Sequence, residues 1–162
     1  MRALIVGNSG AGKTTFARKL FPNCPDADRP ILNLDAVAWG EPIDGKPMRR
    51  SSADSINAIE AFTRDRDNWA IEGCYGDLLA AIASQATVLY WLDPGTDICL
   101  DRCRNRTWEP EKFATPAEQD AALAYLLEWV ATYDDREDEF GRDRHAALFG
   151  GFPGEKYRLI ND

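Results

Sequence analysis

The sequence is poor in the residues that several kinds of chemistry need. Among 162 residues there is one histidine, His145, in a polar stretch with helical character, which argues against a Ser-His-Asp triad. The four cysteines, Cys24, Cys74, Cys99 and Cys103, contain no CxxC pair. Cys99 and Cys103 lie one helical turn apart, a spacing open to a metal, but the set reads first as plain thiols in a reducing cytosol. Long apolar runs are missing too. Nothing approaches the roughly 20 residues that span a bilayer. "ALIV" (3–6) is too short for a signal-peptide core and meets Gly7 at once. The expectation is a soluble cytoplasmic protein with no membrane partner. Positive charge is also short, with 19 Lys and Arg against 27 Asp and Glu, a net charge of −8. A general nucleic-acid binder draws its affinity from neutralised phosphates, so nucleic acid is disfavoured as a partner. Local basic islands could still hold small phosphates.

Hydrophobic residues are plentiful, at 44%, enough for one domain over residues 1–162 with a real core. Along the chain, strand and helix signals alternate. Strands are expected at 2–7, 31–35, 69–73, 86–93 and 156–160. Between them, helices are expected at 12–21, from Ser52 or Asp54 to about Arg66, near 77–84, at 96–106 and, in two pieces, over about 117–149. Residues 40–51 and the proline-containing stretch 107–116 read as loops. Five short strands separated by helices imply an α/β fold, a parallel sheet with helices on both faces. Ligands of such sheets bind at the carboxyl ends of the strands.

One motif stands at such an end. "GNSGAGKT" (7–14) fits G-x-x-x-x-G-K-[ST] in full, with an apolar strand before it and a helix after it. Gly7, Gly10 and Gly12 let the backbone turn tightly and approach a phosphate. The amide groups of Asn8, Ser9, Ala11 and their neighbours can then form an anion nest, helped by the positive end of the following helix. Lys13 would reach the β/γ-phosphates, the Thr14 hydroxyl would ligate Mg²⁺, and Thr15 completes the candidate nucleotide site. The alternative is a glycine turn with a surface lysine.

Three classes of phosphate-loop protein compete. A GTPase needs an N-K-x-D segment, and "LIND" lacks the lysine. Oligomeric ATPases are usually larger, so a small kinase fits best. Transfer to a hydroxyl requires a carboxylate near the acceptor's proton and another for Mg²⁺. Asp35 and Glu72 are expected to end the second and third strands on the same edge as the loop. Asp93 ends the fourth but precedes Pro94-Gly95, as a helix cap would.

The loop, "LDAVAW" (34–39), "WAIEGCY" (69–75) and "LYWLDPGTDICLDRCRNR" (89–106) together resemble the adenylate-kinase-like small P-loop kinases. They are most similar to the bacterial topology-modulation (FlaR-type) proteins and, at Asp35, to shikimate-kinase-like enzymes. The resemblance covers residues 1–106 well and the remainder loosely. It implies a P-loop NTPase three-layer sandwich, strand order 2-3-1-4-5, with a small lid at about 107–116 and an acceptor-side segment at about 36–68. "IEG" (71–73) matches the Walker B position, so Glu72 would orient the Mg²⁺ shell. "DRCRNR" (101–106) resembles the arginine motif at the lid entrance. Arg102 would then stack on the nucleotide base and Arg106 would contact the transferring phosphates. Guanidinium planes suit both tasks, although arginines so spaced also describe a solvated helix face. A further phosphate-binding arginine is expected in the helices after the lid, with Arg136 the first choice.

The acceptor side departs from the nucleoside monophosphate kinases. "EGCYGDLL" (72–79) has no arginine to grip an acceptor phosphate. Asp35 resembles the aspartate that small hydroxyl kinases use to deprotonate an acceptor. Trp39, Arg49, Arg50 and Tyr75 could line its pocket, Trp39 and Tyr75 equally as packing residues. With "LIND" at the end of the sequence, base recognition is expected to rest on Arg102 and its neighbours, with ATP as donor. The leading expectation is thus an ATP- and Mg²⁺-dependent kinase, monomeric or homodimeric, acting on a small hydroxyl compound. The alternatives are a nucleoside monophosphate kinase, a catalytically weak ATP-binding regulator and, least, a nucleic-acid end kinase.

Overall fold

The computed structural model describes residues 1–41, 47–110 and 113–160. Residues 42–46 of the acceptor-side segment, 111–112 of the 107–116 stretch and the last two residues of "LIND" lie outside the described residues.

Five strands form one sheet: β1 (Arg2–Gly7), β2 (Ile31–Asn33), β3 (Trp69–Gly73), β4 (Val88–Leu92) and β5 (Glu155–Leu159). Their order is β2-β3-β1-β4-β5, and every pairing is parallel. The central strand shows why. In "RALIVG", Ala3 to Val6 are all fully buried, as a strand covered on both faces requires. Leu4 and Val6 enter one core layer and Ala3 and Ile5 the other. Period-two alternation thereby feeds two helical layers at once.

The first layer holds Leu4, Val6, Ile71, Leu89 and Trp91 from the sheet, with Ile59, Leu79 and Leu148 from helices. Those helices are α3 (Ser52–Thr63), α4 (Gly76–Ala81) and α7 (Arg142–Gly151), with the short α2 (Asp35–Ala38) beside them. The second layer holds Ala17, Cys99, Cys103 and Val130 from α1 (Lys13–Lys19), α5 (Thr96–Arg104) and α6 (Pro116–Ala131). This is the three-layer P-loop NTPase architecture with the expected strand order.

Several expectations need correction. β2 stops at Asn33, and Asp35 opens α2 instead of ending the strand. Leu34 already has helical angles, and its backbone N–H makes the last bond to β3, to the carbonyl of Glu72, before the chain leaves the sheet. The cap of α3 is Ser51, not Ser52 or Asp54; its hydroxyl accepts from the Asp54 amide. Arg136 lies in the connector between α6 and α7, outside any helix. His145 belongs to a polar-looking helix yet is completely buried. Around the 40–51 segment, a bridge pairs Trp39, just before it, with Arg49 in antiparallel fashion. No helix among the described residues is long and apolar enough to cross a membrane.

Candidate active site

The loop after β1 is shaped by glycines. Gly10 has φ +81°, and a Cβ there would lie 2.3 Å from the Cys99 carbonyl and 2.9 Å from Cys103 Sγ. Gly12, also left-handed at φ 94°, precedes the first turn of α1. Asn8 is buried and spans the loop: its side-chain oxygen accepts from the Ser9 amide at 2.8 Å, and its amide nitrogen donates to the Val130 carbonyl at 3.1 Å. The loop is thus pinned to α6 from behind. Lys13 Nζ donates to the Asn8 carbonyl at 2.9 Å, so its ammonium hangs over the loop's own concavity. Thr15 is exposed on the first turn of α1.

Beside this loop stands Glu72, 2% exposed, at the carboxyl end of β3. The register sets Glu72 level with Ile5 of β1 and Asn33 of β2. The Thr14 hydroxyl donates to Glu72 Oε1 at 2.6 Å. A buried carboxylate is costly unless it meets donors or a cation. A hydroxyl and a carboxylate oxygen converging beside a phosphate-type loop fit a hard cation such as Mg²⁺. Thr14 would hold it directly and Glu72 through water.

Next along the edge is Asp35. The Asn33 side chain accepts from the Asp35 amide at 2.8 Å, fixing the turn into α2. Tyr75 donates to Asp35 Oδ1 at 2.6 Å, and the Trp39 indole N–H donates to the Tyr75 hydroxyl at 2.7 Å. Burial, then the Asp35 carboxylate, push the Tyr75 phenol far above its ordinary range, so it stays a donor. Tyr75 is core by its ring, 2% exposed, with its hydroxyl turned to Asp35, while Trp39 is 39% exposed. Burial also pushes the Cys74 thiol up to about 12, opposed by Lys13 and reinforced by Asp35 and Glu72.

Arg102 and Arg106 both turn toward the loop. Arg102 donates to the Ala11 carbonyl at 3.2 Å, and Arg106 donates to the Ser9 hydroxyl at 3.3 Å while pairing with Glu109 at 3.0 Å. Arg49 does not stand open. It pairs with Asp77 at 3.2 Å and Glu139 at 3.1 Å, over the Tyr75 ring. Arg136 stacks 4.4 Å from Trp129 and is held by both oxygens of Asp138. Arg50 is exposed beyond the Trp39–Arg49 bridge. Asp93 is not the cap of α5, a place taken by Gly95. It is buried and receives Arg142 at 2.7 Å and Arg158 at 2.5 Å, joining the end of β4 to α7 and β5. Cys99 and Cys103 are buried under the loop, and among the described residues no group of three His, Cys, Asp or Glu side chains could hold a metal.

No protein-family model matches the chain, and no curated protein matches it in sequence. Solved structures with a similar course include a deoxyadenosine kinase from M. mycoides with bound dATP, at 11% identity and TM-score 0.49, covering 98% of this chain and 90% of that one. An uncharacterized protein from Eubacterium ventriosum is also similar, at 16% identity and TM-score 0.43, covering 99% and 91%. Likeness at this level says nothing of activity; the fold stands on the strand order and the loop.

Sequence reading missed a second row of residues behind the edge. The Trp91 indole N–H donates to the Tyr133 hydroxyl at 3.3 Å, Tyr133 bonds His145 Nδ1 at 2.8 Å, and His145 Nε2 bonds the Cys74 carbonyl at 2.9 Å. A carbonyl only accepts, so Nε2 carries the proton, Nδ1 accepts from Tyr133, and the imidazole is neutral. Burial holds its pKa down to about 4. This chain braces the turn that presents Tyr75. The three side chains come from three distant segments, and no local pattern marks them. Asp77 and Glu139 were missed for the same reason, although both acids stand in plain view in the sequence.

Proposed function

We propose that the protein is an ATP- and Mg²⁺-dependent kinase that transfers the γ-phosphoryl group to a hydroxyl of a small molecule. The observation that carries this reading is the order along one sheet edge. The loop with Lys13 comes first, then Glu72 bonded to Thr14, then Asp35 held by Tyr75. Donor, metal and acceptor functions fall side by side, as in-line transfer needs. In the reaction the acceptor oxygen bonds to the γ-phosphorus, the bond from phosphorus to the β,γ-bridging oxygen breaks, and ADP leaves. The acceptor's proton passes to Asp35. Lys13 and the loop amides hold the β/γ-phosphates, and Mg²⁺, when bound at Thr14 and Glu72, offsets their negative charge. Arg102 covers the nucleotide and Arg106 meets the transferring phosphates, roles supported by their hydrogen bonds to the loop. Residues 107–116 act as a lid that excludes water, so that ATP is not simply hydrolysed. The motifs of residues 1–106 favour the FlaR-type branch of small P-loop kinases.

Nucleotide binding and transfer separate by mutation. Lys13→Ala is expected to abolish binding of a Mg²⁺–ATP analogue in calorimetry; retained binding sinks the loop assignment. Asp35→Asn is expected to keep that binding while transfer falls roughly 10²- to 10⁴-fold. A wild-type protein that binds the analogue and transfers nothing would be a nucleotide-binding regulator instead.

A further inference from the structure

The acceptor side carries a charge pattern that bears on what it receives. Arg49 is the guanidinium that lies on Tyr75, 4.6 Å from the ring centroid and 5.4 Å from that of Phe140. Its Nη1 is held by Glu139 Oε1 at 3.1 Å and its Nη2 by Asp77 Oδ2 at 3.2 Å and Oδ1 at 3.4 Å. An arginine that grips phosphate or carboxylate offers two parallel N–H groups to one anion. Here both Nη groups are already committed, each to a different carboxylate. The guanidinium has further N–H groups, but an anion that reached them would sit beside two carboxylates, under like-charge repulsion in a partly dry site. Asp35, bonded to the same Tyr75, adds a third carboxylate. Across Phe140, Arg136 is tied back to a carboxylate as well: Nε and Nη2 are held by Asp138, and Nη1, though without a hydrogen-bond partner among the described residues, is shut off from solvent. The apolar component points the same way. Trp39 is fixed by its indole N–H on Tyr75 yet is 39% exposed, so an oriented ring surface is left open beside Asp35. Such surfaces take flat or ring-shaped partners.

Resting on the kinase reading above, we propose that the acceptor is a ring-bearing alcohol without an anionic group. It stacks on Trp39, and Arg49 with its two carboxylates rejects phosphorylated or carboxylated analogues. Neutral nucleosides and neutral hexoses share this chemistry.

The test uses full-length protein saturated with a non-hydrolysable Mg²⁺–ATP analogue, so that the donor loop is filled. Matched probes are titrated by calorimetry: adenosine against AMP, cytidine against CMP, glucose against glucuronate. A neutral member is expected to bind at least tenfold more tightly than its anionic partner, and the nucleoside and hexose arms distinguish the two sources. Trp39→Ala is expected to weaken the neutral probe about tenfold with the analogue's affinity unchanged. Asp77→Asn with Glu139→Gln, which releases Arg49, is expected to narrow the gap at least fivefold. If the double variant does not fold, Glu139→Gln alone, at a side chain 33% exposed, provides the same readout. An anionic partner that binds equally or better, a gap unmoved by releasing Arg49, or no binding by any pair overturns the proposal. Failure of the analogue itself to bind strikes the donor-side reading instead.

Discussion

His145 shows how a single residue couples pH to the site. Its neutral form satisfies both ring nitrogens inside the protein, and protonation would strip Nδ1 of its acceptor role. Its folded pKa, about 4, is below the ordinary histidine value of 6.5. Between these values the unfolded chain binds the extra proton, so stability rises with pH. The contribution is complete above about pH 6.5 and is lost as pH falls toward 4, an effect of about 3 kcal/mol. His145→Gln keeps a donor and an acceptor but cannot titrate. Urea unfolding across pH 4–7 is expected to show a shallower acid decline in the variant; parallel curves would contradict this. Gly10 is a second such position. Gly10→Ala forces a side chain into a left-handed backbone and against the Cys99 carbonyl, and a loss of about 1–3 kcal/mol is expected. A drop in Tm together with weaker nucleotide binding would register it.

At the level of elements, the ends matter more than the middles. α6 begins with Thr115-Pro116-Ala117-Glu118: the Thr115 hydroxyl accepts from the Glu118 amide, and Glu118 accepts from the Ala114 amide. Pro116 stands where its missing N–H costs nothing. Asp93 fastens the end of β4 to α7 and β5 through Arg142 and Arg158. Asp93→Asn removes a charged acceptor from two arginines, and a loss of about 1–3 kcal/mol is expected, with nucleotide affinity unchanged in calorimetry. Weakened nucleotide binding in a fully folded variant would mean that Asp93 belongs to the donor site. Whether an element's end can be read in advance depends on how local its causes are. β1, the glycine loop and Glu72 are spelled out by contiguous residues whose burial and turn chemistry leave one solution. The turn at Leu34 was not. "ILNLD" alternates like a strand, but the β3 ladder ends at Leu34, and the Asn33 side chain accepting from the Asp35 amide fixes the turn into α2. The connector 135–141 also escaped, because its course is set by packing. A Cβ on Gly141 would lie 2.1 Å from the Arg136 carbonyl, so the chain doubles back where its polar residues suggest a helix. Arg49 offers the same lesson at the site. In the sequence it is one of four residues that could line an acceptor pocket, and nothing local shows that Asp77 and Glu139, 28 and 90 residues away, pair with it.

Across the whole molecule, the sheet turns scattered residues into one edge. With the order β2-β3-β1-β4-β5, the ends of β2, β3 and β1 are neighbours. Asp35, Glu72 and the loop from Gly7 to Thr14 therefore stand in a row through parallel pairing alone. The helices behind that edge serve it as braces: α6 holds Asn8 through the Val130 carbonyl, and α7 holds the turn before Tyr75 through His145. The proposed metal dependence belongs to this scale, because Thr14 and Glu72 come from different elements. Glu72→Gln is expected to weaken the Mg²⁺ dependence of nucleotide binding at least tenfold, read by titrating the analogue with and without Mg²⁺. An unchanged dependence would remove Glu72 from the metal site.

The most direct measurement of phosphoryl transfer follows the γ-phosphoryl group itself. The protein is incubated with Mg²⁺ and γ-labelled ATP in a small-molecule metabolite extract, and the products are separated. The expected result is label in an organic phosphate ester, lost in both Lys13→Ala and Asp35→Asn. Label found only in inorganic phosphate, or an ester that persists in both variants, would contradict a transfer site built on the loop and Asp35.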